Sequence, residues 1–436
     1  MRSRLPVLWP LVEESFDEAE FLWRSWEESL DTHARHLGQV WFWTDDRLQG
    51  ALEGVRLGGR RALDELLLPA LARPESPFRV RATVHVLASH ATPAWGALGE
   101  SLRGTASLGF DIERGLQTLT EPRQVSALEA WLAHQGEASR ALRVSLRVFR
   151  KQASPPDEVS ALAVSHVPAH RRVAMAAAQH LPPGLAKPLL VRGLDDIEGE
   201  VANAAVGAGL VHGLPAAWAR CCERAAAQSS ALFVFLAACL GGPRERRLVE
   251  ASLGLARTRP FALSALGFLG TRRAADLALE LMNEDAQARL AAEAFCAITG
   301  LDLAAENAAL PEPLPPAGPV PFELDDLDAD LVPKPDDLLP APDVARVSAW
   351  WAAHRNRFDE HTRYIGGRPL SPTALWDALA RGPMRRRHVL AFELAVRTAG
   401  ACDLQTRAFT SFQRQQLRQF TAELADIPFA MNAFAS

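Results

Sequence analysis

Cysteine is scarce and odd in number: Cys221, Cys222, Cys239, Cys296 and Cys402 are the five in 436 residues. Neither a disulfide framework nor a CxxC metal site fits that set, and its place inside apolar runs reads as buried thiols. Base is not in excess either. Lys and Arg number 47 against 52 Asp and Glu, a net charge of −5, which argues against a general nucleic-acid binder. No apolar run approaches the roughly 18 residues of a membrane span, and the longest, 231–240, has the length of a core helix. The amino terminus carries two arginines but no apolar signal-peptide stretch before Glu13, Glu14 and Asp17. A cytoplasmic protein with no nucleic-acid and no membrane partner is the expectation.

Catalytic signatures are also missing. The chain has no GxSxG elbow, no P-loop and no dinucleotide fingerprint, and hardly any segment reads as a strand. His33 and His36 form HxxH, and His166 and His170 share a spacing of four, but neither pair has a converging third ligand. Asp195, Asp196, Glu198 and Glu200 cluster where one helical unit gives way to the next. Acids there suit a helix N-terminus, whose dipole favours negative charge. No catalytic, cofactor or metal residue is assigned.

What the chain does have is repetition. Leu181, Leu210, Leu240, Leu269 and Ile298 fall 29, 30, 29 and 29 residues apart, each closing an alanine-rich apolar run. From the second onward a glycine follows: Gly213, Gly241, Gly270 and Gly300. Partner helices are expected over 216–227, 244–256 and 272–282. A helical pair at this period cannot bury its apolar face until a neighbour stacks on it, which is the signature of an α-solenoid. At 48% apolar and 23% charged residues, the composition is that of a globular chain.

Four blocks follow from this reading. Residues 1–78 form an N-terminal helical cap, with Val40, Trp41, Phe42 and Trp43 as an aromatic cluster that closes a core. Residues 79–302 form the repeat region. Residues 303–342 break the pattern: ten of the 30 prolines fall there, among Glu323, Asp325, Asp326, Asp328, Asp330, Asp336 and Asp337. Proline cannot continue a helix and like charges repel, so an extended linker is expected, with Leu324, Leu327 and Leu331 able to dock onto a groove. Residues 343–436 are helical again, starting at an Asp343 N-cap. This block holds the chain's single tyrosine, Tyr364, and its one basic cluster, Arg385, Arg386, Arg387 and His388. That cluster suits an acidic partner or the chain's own acidic linker.

The run 283–295, NEDAQARLAAEAF, resembles a HEAT-like repeat of the short bacterial type: an acidic turn, an arginine, paired alanines, then a hydrophobic residue. Leu269-Gly270-Thr271-Arg272-Arg273-Ala274-Ala275 is similar to the start of that family's second helix. The resemblance covers 79–302 with gaps and implies an all-α solenoid of helix pairs. Some relatives are bilin lyases or hydroxylases of modified residues, but no His-Glu metal-ligand pairs stand in these repeats. A narrower resemblance rests on 295–303, the proline-rich acidic linker, Arg363-Tyr364 through Gly367 to Leu370, and the Trp-rich amino terminus. Together these resemble an uncharacterised proteobacterial family encoded in type VI secretion gene clusters.

The resemblance implies a non-catalytic scaffold or adaptor holding a protein partner, a secreted effector or spike component. The alternative is an immunity protein neutralising a cognate toxin, and the remote one a HEAT-like lyase or hydroxylase. Candidate partner-binding residues are Asp325, Asp326, Leu327 and Asp328 in the linker, with Tyr364, Arg385, Arg386 and Arg387.

Overall fold

The computed structural model describes residues 7–90, 95–104, 109–228, 230–255, 257–311, 338–421 and 427–434, and structural statements below concern those. The chain is all-α. Its only strands among the described residues are two-residue pieces, Tyr364–Ile365 and Arg368–Pro369, paired antiparallel with Tyr364 opposite Pro369. Helix packing is between neighbours in the chain order. The described residues fall into two compact units, one from 1–218 with 394–428 and the other from 219–393 with 429–436. Residues after 342 therefore contribute to both.

In the first unit the Trp9–Ser29 helix starts with a proline in its first turn, where a missing N–H costs nothing. Val12, Phe16, Ala19, Trp23 and Trp26 recur at steps of three and four and are buried together with Leu22. They pack on Asp46–Leu57 and Pro77–Ser89. Gly59 (φ +58°) separates Asp46–Leu57 from the next turns. The aromatic cluster departs from expectation. Trp41–Asp45 is a π-helical turn, and Phe42 and Trp43 stand 67% and 56% exposed, edge to face at 5.1 Å. The extra residue in that turn rotates the two rings away from the core that Val40, Thr44 and Asp45 enter.

Residues 394–428 complete this unit's core. Phe409 lies 4.8 Å from Trp26, Thr410 donates its backbone N–H to the fully buried Asp45, and Gln405 donates to the Phe149 carbonyl at 2.7 Å. Asp403 receives Lys151 at 2.8 Å and Gln179 at 2.6 Å.

Helices form where the periodicity puts them: Gly199–Val211, Ala231–Leu240, Arg259–Leu269 and Asp285–Thr299, with Pro215–Ala226, Pro243–Ser252 and Arg272–Leu281 between them. All five marker residues, Leu181 to Ile298, are buried. In the second unit Arg259–Leu269 packs against both Ala231–Leu240 and Asp285–Thr299. Its last eight residues, Ala262 to Leu269, are buried on every side, as a helix with neighbours all round must be. Gly270 and Gly300 end their helices in the left-handed conformation (φ +66° and +74°), which only glycine enters without strain. Gly241 does not; its φ is −84°.

Candidate functional site

The second unit contains a cleft of about 600 Å³, within the range of small-molecule sites. It is built on the two helix ends just described. The Tyr364–Pro369 hairpin closes over them through main-chain bonds: Tyr364 donates to the Gly270 carbonyl at 2.7 Å, Gly366 to Ala297 and Gly367 to Ile298, both at 2.8 Å. Helix termini leave such carbonyls without intrahelical partners, so the hairpin satisfies them. Gly366 and Gly367 both have positive φ (+57° and +78°), the requirement of a tight two-residue hairpin turn. The backbones also touch: a Cβ on Gly300 would lie 2.6 Å from the Gly366 carbonyl oxygen.

Arg363 anchors the hairpin. Its guanidinium donates to the Phe268 carbonyl at 2.9 Å, to the Cys239 carbonyl at 3.0 Å, and to both oxygens of Glu393. One side chain thus caps two helix C-termini, where a cation also complements the dipole. Burial would lower the Arg363 pKa, but the Glu393 carboxylate more than offsets that and holds it raised.

A second buried pair forms the cleft wall. Arg386 donates through Nε and Nη2 to Glu293, with side chains 7% and 8% exposed. The guanidinium lies 4.8 Å from the Phe268 ring centroid and beside Gly267, where a Cβ would come within 2.6 Å of Nη1. Gly267 therefore makes the room that Arg386 occupies. Nη1 is buried with no hydrogen-bond partner among the described residues; an unmet buried donor costs on the order of 1–3 kcal/mol. Apolar walls come from Phe268, Ala297, Ile365, Ala374, Ala378 and Leu390. At the rim Arg368 pairs with Asp377 at 2.8 Å, while Arg381 is exposed and has no ion pair among the described residues.

Three of the five thiols are held protonated. Burial, then the Glu293 carboxylate, pushes Cys296 up to about 12, and burial pushes Cys222 to about 12 and Cys221 upward as well. None is a ready nucleophile at neutral pH.

A smaller, polar cleft of about 350 Å³ lies in the first unit, lined by His85, Thr118, Gln49, Glu53 and Gln124 among others. His85 Nδ1 and Thr118 Oγ1 are 2.8 Å apart, and burial lowers the His85 pKa to about 4, so the ring is neutral at pH 7.

The residues singled out from sequence are distributed differently. Arg386 reaches the large cleft. Tyr364 is buried, packed 4.8 Å from Phe358, and its hydroxyl accepts the Asp359 N–H at 2.7 Å. Arg387 is also buried, donating to the Leu379 carbonyl at 2.6 Å, and burial lowers its pKa to about 10. Both side chains serve the interior, Tyr364 from the hairpin and Arg387 from the inward face of Met384–Arg397. Arg385 is half-buried. Asp325, Asp326, Leu327 and Asp328 lie outside the described residues.

Of the weaker candidates, Asp196 pairs with Arg171 at 2.8 Å and accepts the Glu198 N–H at 3.0 Å, and His36 caps the Leu37–Val40 turn. Among the described residues no three His, Cys, Asp or Glu side chains converge as a metal site would require. Sequence reasoning missed Glu293 and Glu393. The signal was there: each is a lone carboxylate in an apolar run, LAAEAF and LAFELAV, and buried charges need partners.

No known family model, curated protein or solved structure matches this chain.

Proposed function

We propose that this chain is a non-catalytic protein-binding scaffold, an adaptor or accessory protein associated with type VI secretion that holds an effector or spike component. The observation that carries the reading is the state of the ionisable groups around the large cleft. Glu293, Glu393 and Asp377 are each tied to an arginine, and Cys296 is held as a thiol. Catalysis needs a poised acid, base or nucleophile, and this set is spent on structure. Nearest-neighbour helix packing suits a solenoid, whose long surface is a common protein-binding platform. The resemblance of 295–303 and 363–370 supports the secretion setting.

An immunity role is the second reading, and the acidic run 323–337 favours it. Negative charge speeds association with a basic toxin such as a nuclease.

The test is affinity capture of the tagged full chain from native cells, with bound species identified by mass spectrometry. Recovery of a secreted effector or spike component supports the adaptor. Recovery of a toxin whose growth inhibition this chain relieves moves the assignment to immunity. A partner-free protein carrying a stoichiometric metal or pigment overturns both.

A further inference from the structure

We propose that the cleft of the second unit is a binding site for an amphipathic carboxylate, a single carboxylate on an apolar body of small-molecule size. The proposal is independent of the scaffold reading and stands on the charges and surfaces of this cleft alone.

Two features place uncompensated positive character there. Arg363, Arg368 and Arg386 each have their own carboxylate, but Arg381 at the rim has none among the described residues. Gly382 and Pro383, which lead into the N-terminus of Met384–Arg397, also line the cleft, and that end of a helix favours an anion.

The rest of the lining selects the anion. Phe268, Ala297, Ile365, Ala374, Ala378 and Leu390 offer carbon, which suits an apolar body. The Arg381 guanidinium matches a planar monoanion, since arginine binds carboxylate in the plane of its fork. Inorganic phosphate, fully polar and often doubly charged, would leave the apolar walls unused. The ligand chemistry is shared by a free fatty acid and by the carboxyl terminus of a peptide ending in an apolar residue.

Isothermal titration calorimetry of the full chain with octanoate, 1-octanol and inorganic phosphate tests this. Octanoate is expected to bind one site, at least tenfold more tightly than 1-octanol, with no heat from phosphate. Arg381→Ala, at an exposed position, should weaken octanoate at least fivefold. Ala378→Phe fills the cleft without touching a charge and should abolish binding, its melting temperature checking that the fold survives.

A peptide ending in Leu, compared with its C-terminal amide, separates the sources. Tighter binding of the free-acid peptide than of octanoate, lost in the same variants, assigns the site to a chain terminus; the reverse order assigns it to a free acid. Equal binding of octanoate and 1-octanol overturns the anion assignment. Octanoate binding unchanged in Arg381→Ala and Ala378→Phe overturns the site.

Discussion

The Arg363 guanidinium and the Glu393 carboxylate meet where water reaches neither freely: Glu393 is 0% exposed and Arg363 is 9% exposed. The pair joins the hairpin to the helix behind it, and Arg363 simultaneously holds the Phe268 and Cys239 carbonyls. Arg363→Ala removes the guanidinium from the buried carboxylate and uncaps two helix ends. Breaking a buried pair from one side costs about 3–5 kcal/mol, and urea denaturation followed by tryptophan fluorescence should record a loss of that order. Arg363→Lys should recover only part, since an ammonium cannot span both carbonyls and the carboxylate. An unchanged midpoint in Arg363→Ala would remove this pair from the account of stability.

The hairpin glycines separate two physical effects. Gly300 has positive φ and a Cβ there would strike the Gly366 carbonyl, whereas Gly366 has positive φ but open space around it. Gly300→Ala should therefore cost more than Gly366→Ala, the latter near the roughly 1 kcal/mol of left-handed strain alone. Gly366→Asn should be milder than either, because asparagine tolerates that conformation. Thermal melts of the three variants give the order, and a Gly366→Ala loss equal to that of Gly300→Ala would contradict the close approach.

The His85 shift has a definite sign. A histidine whose folded pKa, about 4, lies below its ordinary 6.5 is neutral in the fold and charged in the unfolded chain between those values. The unfolded state binds the extra proton, so stability is complete above pH 6.5 and falls as pH drops toward 4. The loss is on the order of 2 kcal/mol, allowing for the part of the ring that solvent reaches. Urea midpoints at pH 7.5 and 4.5 should converge in His85→Gln relative to the native chain; parallel curves would mean that His85 titrates normally.

Thiol chemistry follows from the raised values at Cys222 and Cys296, both about 12. Iodoacetamide attacks the thiolate, so at pH 8 the native protein should label far more slowly than the unfolded one. Mass spectrometry of tryptic peptides reads each site separately. Rapid native labelling of Cys296 would show that the cleft activates its thiol.

The aromatic residues divide by exposure. Trp26→Ala removes a fully buried ring packed on Trp23 and Phe409 and should cost about 3–5 kcal/mol. Trp43→Ala removes an exposed one and should stay within about 0.5 kcal/mol. A large loss at Trp43 in equilibrium unfolding would require a contact outside the described residues.

Much of the fold was legible because helix periodicity is a local property. The 29-residue spacing, the glycine stops at Gly270 and Gly300, and the Asp343 cap are written in short windows, and each of those three residues is a helix boundary in the structure. The Trp41–Asp45 turn was not legible, since a π-helical turn has no composition of its own. The basic run Arg385 to Arg387 reads as a surface patch, because charge in sequence carries no record of what packs against it. In the structure Arg386 and Arg387 are interior residues, one with Glu293 and one with the Leu379 carbonyl.

The sequence by itself determined that this chain is helical, how far apart its alanine-rich apolar runs fall, and where several helices stop, all of which depend on residues within a few turns of one another. Only the tertiary structure decided that Glu293 meets Arg386, that Glu393 meets Arg363 across 30 residues, and that a cleft opens between the Tyr364–Pro369 hairpin and two helix ends. Those pairings join positions far apart along the chain. Which carboxylate a buried arginine finds depends on the packing of helices around it, and one chain's letters do not state that geometry.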